Sequence, residues 1–245
     1  MMSLVVTKLN GVSSRIDPIL DPRQVPVTGH DGHLPGIPLE HLSAERLRAR
    51  FASPAPFTPE MAGDGRRFEP TREPSPAAVL VPIVQRPEGL AVLLTRRTDH
   101  LRDHAGQISF PGGRSEPEDA GPAETALREA EEEVGLARHR VEVVGSLPTY
   151  TTVTSYVVTP VVGLVTPPFD LTLDSFEVAE AFEVPLAYLM TPAHHRRHLF
   201  TFEGGQRQFL SMPWHGPGAD GQPREYFIWG ATAAMLRNLY RFLAT

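Results

Sequence analysis

Three glutamates, Glu129, Glu132 and Glu133, stand within the run Arg128-Glu129-Ala130-Glu131-Glu132-Glu133-Val134-Gly135-Leu136. In a helix, positions three and four apart share a face. The run therefore turns those carboxylates to one side and Ala126, Leu127, Ala130 and Val134 to the other. The spacing predicts a helix from about Pro122 to Val134, stopped by Gly135, whose small apolar side must pack on another element. Like charges on one helix face repel by roughly 0.2–0.5 kcal/mol per pair. A hard divalent cation such as Mg²⁺, which takes oxygen ligands and keeps waters of its own, relieves that repulsion. A solvated acidic face is the other meaning of such a run.

The upstream residues favour the metal. Phe110-Pro111-Gly112-Gly113 reads as a strand end with a tight glycine turn, from which a loop leads into the helix. Gly112 permits close backbone approach and a carbonyl ligand. Arg128 can brace its neighbouring carboxylates bidentately.

The frame around the helix is mixed α/β. Ala78–Val84 and Leu90–Thr95 are apolar runs split by the turn residues 85–89, which predicts a hairpin of two buried strands. Val141–Leu147, Val157–Val165 and Phe182–Pro185 are further strand candidates, and Ala231–Leu243 carries its apolar residues at helical spacing. Strands flanked by helices imply an α/β/α sandwich on a mixed sheet over residues 77–245.

Residues 1–76 differ, holding eleven of the 25 prolines. They read as an N-terminal extension with one short helix from Ala44 to about Phe51, capped by Ser43. Leu42, Leu47 and Phe51 give it an apolar stripe that something must cover. The extension can pack on the domain, lie on a partner subunit in a homodimer, or remain an irregular surface segment.

A net charge of −6 argues against a general nucleic-acid binder, and an acidic protein handling a polyanion needs metal ions and placed arginines. With no cysteine, thiolate metal sites and cysteine nucleophiles are excluded. No run approaches the roughly 20 apolar residues of a membrane span, so a cytoplasmic protein without a membrane partner is expected. His194, His195 and His198 lack a further ligand set for zinc and read as a solvated or interface cluster.

The segment 113–136 resembles the Nudix box: a glycine, an acidic residue after a five-residue gap, then REUxEExGU with U aliphatic. Gly113, Asp119, Arg128, Glu129, Glu132, Glu133, Gly135 and Leu136 fall on its positions. The first acid is Asp rather than Glu, and the gap to Arg128 is one residue longer than in the common box. Asp119 therefore also reads as a loop or capping residue. The preceding residues 93–113, with Leu93, Leu94, Thr95, Arg97, Arg102, Gly106 and Phe110 to Gly113, resemble the LLTxR…RxxxGxxxFPGG signature of the coenzyme A pyrophosphatase branch, which has the longer box.

The resemblance implies an Mg²⁺- or Mn²⁺-dependent hydrolase splitting coenzyme A, or a derivative, into 3′,5′-ADP and 4′-phosphopantetheine. Another nucleoside diphosphate substrate, such as ADP-ribose or a dinucleotide, is the nearest alternative; a catalytically silent ligand-sensing domain is the other. Glu129 and Glu133 are expected to hold the metal, with Glu132 and the Gly112 carbonyl completing its shell and Arg128 bracing them. Arg96, Arg97 and Arg102, with Gly113, form the expected substrate-facing set; His104 is expected to line the site. The base that takes the proton from water is open between a box glutamate and a later one, for which Glu177 and Glu180 are the candidates.

Overall fold

The computed structural model describes residues 19, 21–64, 74–100, 106–202, 205–218 and 220–245. In the described chain order the elements are β1 (Val27–His30), α1 (Ala44–Ala52), β2 (Ser75–Arg86), β3 (Gly89–Arg97), β4 (Ile108–Ser109), β5 (Gly112–Arg114) and α2 (Pro122–Val134). There follow β6 (Val141–Ser146), β7 (Tyr150–Thr151), β8 (Tyr156–Val165), β9 (Val178–Pro185) and the single turn α3 (Leu186–Leu189). Last come β10 (Arg196–Phe202), β11 (Gly205–Pro217), β12 (Pro223–Trp229) and α4 (Gly230–Leu243).

The expected hairpin is β2 and β3, closed at the Arg86↔Gly89 pair. β8 runs parallel to β2 from Ser75↔Tyr156 to Val84↔Val165, so this edge of β2 is filled. The other edge of β2 pairs with β3 only from Ile83 to Arg86, and with β5 at Ala77, Ala78 and Val79. β3 in turn pairs with β4 at Thr95 and Arg96. The two strands thus diverge, and the segment Ile108–Arg114 fills the fork between them. That wedge carries Phe110-Pro111-Gly112-Gly113 to the surface where α2 lies. β9 covers the remaining edge of β3, and β6 that of β8.

α2 packs Ala126, Ala130 and Val134 on Ala78, Leu80, Leu93, Val161 and Val165, one face of this sheet. Small residues let the helix sit close, which brings its polar edge to the wedge. Gly135, at φ 69°, ends it in the left-handed conformation, with its N–H bonded to Ala130 and Glu131 carbonyls. The opposite sheet face carries the larger core, built from Val81, Ile83, Val92, Leu94 and Val162 with Leu47 of α1 and Ala233, Leu236 and Leu239 of α4. Helices on both faces of a mixed sheet make the expected α/β/α sandwich.

A second, four-stranded sheet in the order β1-β10-β11-β12 adds to that larger core and was not foreseen. Pro213 disguises β11. It lies beyond Ser211, the last residue of β11 paired with β10, so its missing N–H costs no bond on that edge.

The histidine expectation is corrected by this sheet. His195 and His198 are buried, not solvated. His195 accepts from Arg237 Nη1 at 3.0 Å and donates from Nε2 to the Leu189 carbonyl at 2.8 Å. His198 donates to the Val25 carbonyl at 2.9 Å and accepts from Ser211 Oγ at 2.8 Å. Burial holds both imidazoles below their ordinary value, His195 at about 4.

The extension packs on its own domain. Ser43 caps α1 through Arg46 N–H at 3.2 Å, and Leu42, Leu47 and Phe51 enter the larger core. The stripe that suggested a homodimer contact is therefore covered within the chain. Arg237, with 0% of its side chain exposed, pairs with Asp31 at 3.1 Å and Glu60 at 2.8 Å, fastening α4 to the extension. Glu60 also receives Arg197 at 2.7 Å and Arg241 at 2.6 Å.

Candidate active site

Glu129, Glu132 and Glu133 project from α2 toward the wedge, as the helical spacing requires. Arg128 is the hub that orders two of them. Its Nη1 donates to Glu129 Oε1 at 3.0 Å and to Glu132 Oε2 at 3.1 Å. Its Nε and Nη2 grip the two oxygens of Asp119 at 3.0 and 3.1 Å, and Nη2 also reaches the Arg114 carbonyl at 3.1 Å. Asp119 further accepts from Thr125 Oγ1 at 2.8 Å and from the Glu116 N–H at 3.0 Å. The Arg128 bonds hold its carboxyl well below the usual carboxylate range. Asp119 is thus the clamp on the hub. Its box position was the signal, despite the extra residue in the gap.

Glu133 is the most buried of the three helix carboxylates, 7% exposed. It accepts from the Gly112 N–H at 3.3 Å and faces Arg97 Nη1 at 4.0 Å. Burial pushes it up to about 8, more than Arg97 and that N–H can offset, and the nearby Glu177 adds to the rise. Burial also raises Glu129, against the pull of Arg128. Glu177, in the turn before β9, comes to 3.6 Å from Arg97 Nη2.

Glycine supplies the fit between wedge and helix. A Cβ on Gly113 would stand 2.6 Å from the Glu129 carboxylate, and one on Gly112 would meet the Ala78 carbonyl at 2.5 Å. The Glu129 carboxylate occupies space that only glycine leaves open.

Among the described residues, no three acidic or histidine side chains already converge on one cation position. The donors nevertheless suit a hard ion. Glu129, Glu132, Glu133 and Glu177 offer only oxygens, and Glu133 is a buried carboxylate with too little positive charge beside it. Arg97 and Arg128, the described arginines of the site, face carboxylates on both sides. Gly112 meets Glu133 through its N–H; the carbonyl expected to join the metal shell is a separate group of the same residue.

Two expected members lie elsewhere. Alternate residues of a strand face opposite sides, so Arg97 turns to α2 and Arg96 to the larger core. Arg96 pairs there with Glu180 at 3.5 Å, and Glu180, 2% exposed, also receives Arg224 at 3.0 Å and Tyr226 at 2.8 Å. Glu180 is a structural partner of arginines on the far face, which leaves Glu177 as the later glutamate at the site. On that face Arg96 and Arg224 border a cleft of about 390 Å³. Arg102 and His104 lie outside the described residues.

The NUDIX domain family profile matches residues 74–202, the stretch holding the wedge, α2 and Glu177. The Escherichia coli K12 protein described as the uncharacterized Nudix hydrolase NudL is 44% identical over 164 residues, 66% of this chain and 80% of that protein. A Caenorhabditis elegans Ap4A hydrolase structure is 20% identical, over 45% of this chain and 80% of that one, with a TM-score of 0.40. The NUDIX domain of Shewanella oneidensis NrtR, solved with ADP ribose, is 18% identical over 49% and 79%, at a TM-score of 0.38. The profile and the E. coli relative suffice: the chain belongs to the Nudix hydrolase family.

Proposed function

We propose that this Nudix hydrolase splits the diphosphate of coenzyme A or one of its derivatives, with Mg²⁺ or Mn²⁺, to 3′,5′-ADP and 4′-phosphopantetheine. The observation that carries the reading is the position of Arg97. It belongs to the Leu93-Leu94-Thr95-Arg96-Arg97 segment that resembles the coenzyme A branch, and it stands between Glu133 and Glu177.

Glu129 and Glu133, with Glu132 beside them, would hold the divalent ion. When bound, the ion supplies positive charge against the diphosphate and makes a water acidic enough to attack phosphorus. The chain's own part is positioning, the expected mode for phosphoryl chemistry. Arg128 fixes Glu129 and Glu132 before substrate arrives, because Asp119 holds the guanidinium from behind. Arg97 offers a bidentate surface to a phosphate oxygen pair. Glu177, half-exposed and unburdened by a second arginine among the described residues, takes the water proton.

Turnover of coenzyme A, ADP-ribose and NADH, compared side by side with Mg²⁺, tests the proposal. Coenzyme A should have the highest kcat/KM. Preference for either of the others would assign the site to another nucleoside diphosphate. Turnover of none would leave a domain that binds without cleaving.

A further inference from the structure

Phe176 is 65% exposed, the one aromatic among the described large hydrophobic residues left so open. Its position does not come from a loose chain. Its N–H donates to Asp174 Oδ1 at 2.9 Å, and its carbonyl accepts from Thr98 Oγ1 at 2.8 Å. The next residue, Glu177, accepts from the Thr98 N–H at 2.9 Å and donates to the Asp174 carbonyl at 3.0 Å. Asp174 N–H in turn bonds to the Glu133 carbonyl at 2.9 Å, so the turn is fastened to the end of the carboxylate helix itself. His100 packs against the Phe176 ring, centroids 5.0 Å apart and planes at 61°.

An exposed phenyl ring held this firmly costs hydration free energy and returns no core packing. Its neighbours say what would cover it. Glu177 and Arg97, which face the carboxylate site, lie one residue from Phe176 and three from His100. A ligand with phosphates at Arg97 and a planar ring a ribose away can reach both. We propose that Phe176, bordered by His100, is the stacking platform for the nucleobase of the nucleotide bound at the carboxylate helix. The proposal rests on the reading of this site as one for a nucleoside diphosphate, and it names the residue that holds the base.

Stacking on an aromatic side chain is worth about 1–3 kcal/mol per base by alanine substitution, or about fivefold to 150-fold in affinity. The test titrates the full-length protein, with Mg²⁺, against adenosine 5′-monophosphate and ribose 5-phosphate by calorimetry. Neither contains an anhydride to be cleaved. Phe176→Ala should weaken the adenosine ligand about fivefold or more, leave ribose 5-phosphate unchanged and keep the melting temperature. Phe176→Trp should retain the affinity for the adenosine ligand, and His100→Ala should weaken it less than Phe176→Ala. Equal affinity of wild type and Phe176→Ala for adenosine 5′-monophosphate overturns the proposal. So do equal losses for both ligands, or a wild type that does not favour the ligand with a base. If base discrimination survives while wild type cleaves no diphosphate, the enzymatic reading fails and the platform stands.

Discussion

Asp119 and Arg128 meet through two parallel hydrogen bonds, at 3.0 and 3.1 Å, and the face of Arg128 left over holds Glu129 and Glu132. The pair couples the loop after the wedge to the helix that bears the carboxylates. Asp119→Asn removes the charge and one acceptor, and Arg128 can then swing its donors away from Glu129. A misplacement of about 1 Å at a reacting centre can cost 10²-fold, so kcat/KM with Mg²⁺ should fall by roughly 10–100-fold. Arg128→Lys, which keeps charge but loses the fork, should fall at least as far. Unchanged kinetics in both variants would make the clamp incidental.

The two wedge glycines should separate chemistry from folding. Alanine at Gly113 meets first the movable end of Glu129, at 2.6 Å, whereas alanine at Gly112 meets the Ala78 carbonyl and Val79 Cα, both at 2.5 Å. Gly113→Ala should therefore keep its urea midpoint while losing about 10²-fold in turnover. Gly112→Ala should lose about 1–3 kcal/mol of stability as well, from overpacking against backbone. Equal midpoints for the two variants would contradict the geometry.

Glu60 gives an acid limb to stability. Burial works against its charge, but Arg237, Arg197 and Arg241 pull its carboxyl down to about 2. Its folded value lies below its unfolded one, so this stabilisation is complete above about 4.5 and is lost as the pH falls through about 2. Burial of neutral His195 acts in the same direction at a higher pH, complete above 6.5 and lost as the pH falls through about 4. Among the described residues, Glu60→Gln leaves the buried Arg237 with Asp31 as its one remaining carboxylate. It should cost about 3 kcal/mol at pH 7, and the gap to wild type should narrow below pH 4.5. Urea unfolding across that range checks it; a gap that is absent at pH 7, or constant with pH, refutes it.

What the sequence discloses and what it hides divide on the range of the interactions. The ends of α2 and its two faces are local properties, set by Pro122, Gly135 and a 3.6-residue period, and they match the structure. So do the β2–β3 hairpin, β8 and the Ser43 cap. Arg96 and Arg97 could have been separated from the sequence, because neighbours on a strand must face opposite ways. β10 to β12 were hidden by Pro213 and by glycines such as Gly205 and Gly216, which read locally as breaks. The buried histidines were beyond local reading. His198 finds its partner at Val25, and His195 finds Arg237, across long stretches of chain. Hydrophobic spacing cannot signal a polar group whose bonds come from such distances.

The most direct test of the central claim is product identification after incubating coenzyme A and Mg²⁺ with wild type and with Glu133→Gln. Glu133 is the buried carboxylate that Gly112 and Arg97 enclose, and the swap keeps its size while removing its charge. Wild type should yield 3′,5′-ADP and 4′-phosphopantetheine. The variant should fold normally and yield them about 10²–10⁴-fold more slowly, the loss expected when roughly 3–5 kcal/mol of transition-state stabilisation disappears. Intact coenzyme A after incubation with wild type, or near-normal product formation by Glu133→Gln, would contradict the account.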